Sequence, residues 1–163
     1  MGNKNTNLQM AKNAKNDEFY TTYETIEKEM VHYLEHFEGK TVLCNCDDPF
    51  ESNFCKFFLR NFNFLKLKRL ICTSYGSSKV ATTQLQLVDE NNEPLNLTHG
   101  YVLDVTKIYD GEEIISDEYV AEFLLRSRAI RKLKGNGDFR SPECVRYLEE
   151  CDIVVTPPPV FFI

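Results

Sequence analysis

The chain has 163 residues, 42% of them hydrophobic and 27% charged, which supports one domain with a core of its own and not two large ones. No apolar run approaches the length of a membrane span, and the Asn- and Lys-rich start, residues 1–16, has no apolar stretch of the secretory-leader kind. The net charge of −6 argues against this chain being the main surface that grips DNA, because affinity for phosphates comes from Lys and Arg.

Residues 1–16 read as a disordered polar arm and 17–163 as a single domain, with the cytoplasm as the default location. From 23 to 37, Ile26, Met30, Val31, Leu34 and Phe37 form an apolar stripe at helical spacing. Thr22 or Thr25 suits its N-cap, and Gly39 its end. Residues 41–46 (T-V-L-C-N-C) make a short apolar run fit for a buried strand, broken by Asp47-Asp48-Pro49. A helical pattern resumes over 51–62 with Phe54, Phe57, Phe58 and Phe62, and a second strand follows over 67–73. This strand, helix and strand have the length of a right-handed parallel crossover.

The middle differs. Leu85 and Leu87 alternate with glutamines, 89–94 is turn-rich, and Leu95 and Leu97 alternate again, which is a hairpin signal. Residues 101–105 suit a further strand and 117–128 a helix. A tight turn spans 135–139. Residues 142–150 suit a short helix capped by Ser141 with proline at its first position. Residues 152–156 (D-I-V-V-T) form a near-continuous apolar strand of the type covered on both faces.

Six cysteines in a chain without an export signal read as free thiols, five of them acting as small hydrophobes in strands and helices. The pair Cys44-x-Cys46 has no second ligand pair at zinc-site spacing, so a metal or redox centre is the weakest reading. His32 and His36 read as surface residues four apart on a helix. Basic clusters at Lys66, Lys68 and Arg69, and at Arg126, Arg128, Arg131, Lys132 and Lys134, read as solvated faces.

Alternating strands and helices give an α/β, doubly wound architecture, whose ligands bind outside the carboxyl ends of the strands. The residues to watch are therefore 45–49, 73–75, 138–141 and 156–159. Asp47, Asp48 and Asp138 offer hydrogen-bond acceptors there, although acidic loops of this kind also cap helices. Without a G-x-G-x-x-G loop a pyrophosphate cofactor is disfavoured. A cationic, phosphate-free nucleoside suits such a pocket better.

Four blocks at these places carry a resemblance: K-N-D-E-F-Y-T at 15–21; C-N-C-D-D-P at 44–49 with Ser52-Asn53-Phe54; G-N-G-D-F-R-S-P-E at 135–143; and D-I-V-V-T at 152–156. In this order they resemble the EcoRI-type adenine-specific DNA methyltransferases. The resemblance implies a Rossmann-like methyltransferase fold with a mostly parallel sheet, incomplete at the C-terminus, and S-adenosylmethionine as cofactor. It implies that Phe19, Tyr20 and Thr21 line the methionine side of the pocket, with plain core packing as the alternative for the two aromatics. By the same resemblance Asn45, Asp47 and Pro49 lie against the cofactor, and Asp138 and Phe139 meet its adenine. The acidic residue usual at the end of the second strand is absent, since 72–75 reads C-T-S-Y.

In this family D-I-V-V-T leads into N-P-P-F. The asparagine and proline carbonyls accept the two N–H bonds of a flipped adenine, steering its lone pair to the methyl group, and the aromatic stacks on the base. Here the motif reads Pro157-Pro158-Pro159-Val160, so the catalytic positions Pro157 and Pro158 are degenerate and the ring is missing. The implied activity is adenine N6-methylation of double-stranded DNA in a restriction-modification system. The DNA would be held mainly by a part absent here, and a chain cut at this motif would need a complementing C-terminal fragment. The alternative is a cofactor-binding pseudo-enzyme or interaction module.

Overall fold

The computed structural model describes residues 22–45, 52–75, 99–109, 111–126 and 128–156. They form five strands and four α-helices: α1 Tyr23–Met30, β1 Thr41–Cys44, α2 Asn53–Arg60, β2 Arg69–Ser74, β3 Tyr101–Val105, α3 Asp117–Arg126, β4 Ile130–Lys132, α4 Pro142–Glu150 and β5 Ile153–Val155. The polar arm and the hairpin region over 84–97 lie outside the described residues.

Caps fix where the helices begin. The Thr22 side chain accepts from the Thr25 N–H, Ser52 from Cys55, and Ser141 from Cys144, with Pro142 at the first position of α4. Helix α1 stops at Met30, short of the expected 37. The chain turns through Tyr33 (φ −121°, ψ 4°) into a 3₁₀ turn, Leu34–His36, which still delivers Phe37 to the core. His32 and His36 therefore do not share a helix face.

The strand order is β4-β3-β2-β1-β5. β1 is parallel to β2 and to β5, while β3 is antiparallel to both β2 and β4. Four strands thus run one way and β3 runs against them, an α/β sheet that is parallel about its centre, as a methyltransferase fold requires. Chain order runs outward from β1 through β2, β3 and β4, then returns to place β5 on the other side of β1. The carboxyl end of β1 is the topological switch point.

Side-chain alternation divides the core in two. Val42, Cys44, Leu70, Cys72, Leu103, Val105 and Ile130 face α1, α2 and α3. Leu43, Ile71, Val102 and Leu133 face Cys144 of α4, with Tyr147 and Cys151 against them. Helix α2 is the densest wedge: Cys55, Phe57, Phe58 and Leu59 are all buried, each large apolar chain contributing roughly 1.5–3 kcal/mol. The Phe58 ring meets Phe37 and Phe57 edge-on at 5.2 and 5.3 Å. Cys44, Cys55, Cys72 and Cys144 are buried thiols and Cys151 is half-buried. Cys55 and Cys72 touch through sulfur at 2.8 Å, and burial pushes the Cys72 thiol well above its ordinary range.

On the α4 face the sheet carries one polar ladder. Asp104 accepts from Arg69 through Nε (2.8 Å) and Nη2 (2.6 Å) and from Arg131 Nη2 (3.2 Å), and Arg69 also reaches Glu150 at 2.8 Å. These hydrogen bonds hold the Arg69 guanidinium even more firmly protonated than usual. β5 is an edge strand among the described residues, and Val154 is exposed on its α4 side. The expectation of cover on both faces does not hold for it here.

Candidate functional site: the rim at the strand tips

The site is built on the last residues of β2. At the switch point Asn45 follows β1 directly, is buried, and donates its backbone N–H to the Val155 carbonyl at 3.4 Å. Its side-chain Oδ1 accepts from the Thr73 hydroxyl at 3.1 Å. Asn45 is thereby tied to both neighbours of β1. That oxygen is engaged in holding the rim together.

The next residue of β2 seats the second loop. Gly137 has φ +87°, and a Cβ there would stand 2.2 Å from the Ser74 carbonyl oxygen and 3.1 Å from Tyr75 Cα. Gly100, entering β3, is equally crowded: its Cβ would lie 2.6 Å from Gly137 Cα and from the Ser74 carbonyl oxygen. Three backbones meet where only hydrogen fits. Reciprocal hydrogen bonds tie this bracket to the edge of β4, since Gly100 donates to Gly135 and Leu133 donates to Gly100, both at 2.8 Å. The Glu143 carboxylate accepts from the Lys134 and Gly135 N–H groups at 2.9 and 3.2 Å, which pins the loop to α4.

Asp138 and Phe139 project from that loop. The Asp138 carboxylate accepts from the Arg140 side chain (3.2 and 3.0 Å) and backbone N–H (2.9 Å). The side-chain bonds first, and then the backbone bond, hold its carboxyl below the usual range. The group is therefore ionised at neutral pH, with lone pairs to spare for a further donor. Phe139 is 47% exposed, a large apolar ring left in solvent beside an acceptor, with the Arg140 guanidinium 5.5 Å from its centre. An open ring face and an adjacent carboxylate can hold a purine that carries an amino group.

Of the residues singled out from the sequence, Asn45, Asp138 and Phe139 are described, and adjacent residues of β2 seat the loops that carry them. Phe19, Tyr20, Thr21, Asp47, Pro49, Pro157 and Pro158 lie outside the described residues. Sequence reasoning missed Gly100 as part of the bracket and Thr73 as the partner of Asn45. The one available signal was a lone glycine just ahead of the alternating run of β3. A cavity of about 540 Å³ lies under α3, and one of about 330 Å³ beside α4 is lined by Lys134 and Glu143, which border the rim loop. Among the described residues no group of three or more His, Cys, Asp or Glu can hold a metal ion, and no helix is long and apolar enough to cross a membrane.

Comparison with known proteins identifies the family. The family model described as adenine-specific methyltransferase EcoRI matches residues 7–162. The Type II methyltransferase M.EcoRI of Escherichia coli is 38% identical over 152 residues, covering 93% of this chain and 41% of that protein. The Type II methyltransferases M.MgeORF184P of Mycoplasma genitalium and M.MpnI of Mycoplasma pneumoniae are each 36% identical over 149 residues, covering 91% of this chain and 35% of theirs. The chain thus spans about two-fifths or less of the relatives it matches. No solved structure matches it. With a switch-point rim in place and the match running through nearly every residue, the chain belongs to the family of EcoRI-type adenine-specific methyltransferases.

Proposed function

We propose that this chain is the cofactor-binding part of a DNA adenine N6-methyltransferase that uses S-adenosylmethionine, the modification arm of a restriction-modification pair. The supporting observation is the seating of two loops on consecutive residues of β2, Asn45 on Thr73 and Gly137 on Ser74, at the switch point of the sheet. The residues fit the cofactor. Asp138 supplies an ionised acceptor for the adenine amino group, Phe139 a ring face, and the net negative charge suits a sulfonium cation. When bound, S-adenosylmethionine supplies an activated methyl group. Phe19, Tyr20, Thr21, Asp47 and Pro49 complete the pocket in this reading, with residues 1–16 a polar arm and 17–163 a partial methyltransferase domain.

The chain's own part in the chemistry is to bind and orient. Asn45 keeps the β1 tip in register with both neighbours, and Arg140 keeps Asp138 ionised and aimed. The step that fails is acceptance of the target amino protons, because Pro157 has no side-chain carbonyl where the family has asparagine and Val160 no ring to stack on the base. Losing one such preorganised contact costs on the order of 10²–10³-fold in rate. With both contacts missing, the chain is inactive alone in this reading.

Methyl transfer to adenine-containing duplex DNA tests this. The chain alone transfers nothing, and adding the C-terminal segment of a family relative yields activity only once Pro157→Asn and Val160→Phe are also made. Adenine methylation by the unaltered chain on its own contradicts the reading. Firm cofactor binding without activity in the restored, complemented pair favours the pseudo-enzyme.

A further inference from the structure

Between Arg126 and Lys134 the sequence holds five cations and no carboxylate, in a chain whose net charge is −6. Arg126 ends α3, residues 128–129 form a turn, and β4 follows at Ile130–Lys132. β4 is the outermost strand of the described sheet, with β3 its only described neighbour. Arg131 turns inward to the ladder, where Asp104 and the Tyr147 hydroxyl accept from it at 3.2 and 3.1 Å, and Arg126 pairs with Glu122 at 2.9 Å. Arg128, Lys132 and Lys134 are exposed, and among the described residues no carboxylate pairs with any of their side chains. Arg146, likewise exposed and without such a partner, lines the cavity of about 330 Å³ beside Lys134.

Among the described residues, Arg128, Lys132 and Lys134 gain no ion pair on folding. Like charges along one edge repel, and an edge strand needs only one or two of them to discourage pairing with another strand. The tract also has a direction. Its upper end, Lys132 and Lys134, leads straight into the 135–139 rim, and Arg128 lies at the far end of β4. Within β4, Ile130–Lys132, extended chain rises about 3.3 Å per residue, close to the roughly 3.4 Å of helix axis between successive phosphates of a DNA strand.

We infer that the β4 edge is a sequence-independent contact for the backbone of duplex DNA, with Lys132 and Lys134 on phosphates beside the rim and Arg128 on one further along. The inference rests on the methyltransferase reading and extends it. It also revises the sequence expectation that these residues are merely solvated and that the grip on DNA lies mainly elsewhere. An acidic protein surface would meet the same charges, but a chain read as part of a DNA methyltransferase makes duplex DNA the better match.

The test measures binding of a short duplex to the full chain across a salt series, beside S-adenosylmethionine binding by calorimetry. The triple variant Arg128→Gln, Lys132→Gln, Lys134→Gln should reduce the slope of log affinity against log salt by about 2.7 and weaken binding on the order of 10²-fold at low salt. Its cofactor affinity should not change. The charge-preserving triple Arg128→Lys, Lys132→Arg, Lys134→Arg should bind duplex as the parent does. So should Lys28→Gln, Lys40→Gln, Lys68→Gln, which removes three exposed charges elsewhere. No measurable duplex binding by the parent overturns the inference, as does an equal loss in both glutamine triples, or an unchanged slope in the first. In each of those cases intact cofactor binding leaves the methyltransferase reading standing, whereas loss of cofactor binding by the parent chain removes that reading itself.

Discussion

Gly137→Ala is expected to destabilise the protein by about 3 kcal/mol or more, through two effects that separate cleanly. A left-handed backbone disfavours any L-residue by roughly 1–2 kcal/mol, and Gly137 has φ +87°. The added methyl would also stand 2.2 Å from the Ser74 carbonyl oxygen, a backbone atom within a hydrogen-bonded strand that cannot move aside by itself. Gly39 isolates the first effect, since it has φ +70° and no atom lies within 4 Å of where its Cβ would stand. Gly39→Ala should therefore lose only about 1 kcal/mol. Gly100→Ala isolates the second: its Cβ would collide at 2.6 Å with Gly137 and Ser74. At roughly 2–4 °C per kcal/mol for a chain of this size, the Gly137 variant should melt about 6–12 °C below the parent and Gly39→Ala within about 4 °C of it. Equal melting temperatures for the two would show that the bracket between the loop and β2 is not closed in solution.

Phe58→Ala should lower stability by about 3–5 kcal/mol, the range for emptying an aromatic site in a packed core. The residue is fully buried between Phe37 and Phe57, and two edge-on ring contacts are lost with it. Each such contact contributes about 0.5–1.5 kcal/mol beyond area burial. The comparison is Phe64→Ala, whose side chain is 43% exposed and whose removal should be felt at about 1 kcal/mol or less. Denaturant unfolding measures both. A small loss at Phe58 would mean that α2 does not pack on β1 and β2 as described, and the crossover that positions Asn45 would lose its support.

Much of the frame is legible in the sequence because its causes are local. Thr22, Ser52 and Ser141 mark helix starts through short-range hydrogen bonds, and Pro142 suits only a first turn. The apolar run of β1, then an amphipathic helix, then β2, leads to a parallel crossover for reasons of handedness. Strand β3 is different. The alternation of Tyr101–Val105 reads alike whichever way the strand runs, and its reversal depends on where the preceding chain re-enters the sheet. The early end of α1 was also hidden, because Phe37 keeps helical spacing while reaching the core through a 3₁₀ turn.

At the site the same division holds. Asp138 and Phe139 stand out as an acidic and an aromatic residue after a glycine turn, and they do project from the rim. What could not be read are the long-range contacts: Ser74 against Gly137, Thr73 against Asn45, and Arg69 and Arg131 meeting on Asp104. Those partners are decided by strand register, which a single sequence leaves open. The basic run of 126–134 shows why this matters. As composition it is ordinary, and only its placement along a sheet edge that leads into the rim gives it a use.

The proposed function depends on the strand-tip rim receiving S-adenosylmethionine. Calorimetric titration of the chain with that compound, beside Asp138→Ala, addresses it most directly. Saturable one-to-one binding is expected of the parent, with a loss of about tenfold or more in the variant, the effect of removing a charged hydrogen-bond acceptor. No heat of binding from a folded parent chain, or equal affinity in Asp138→Ala, would contradict it.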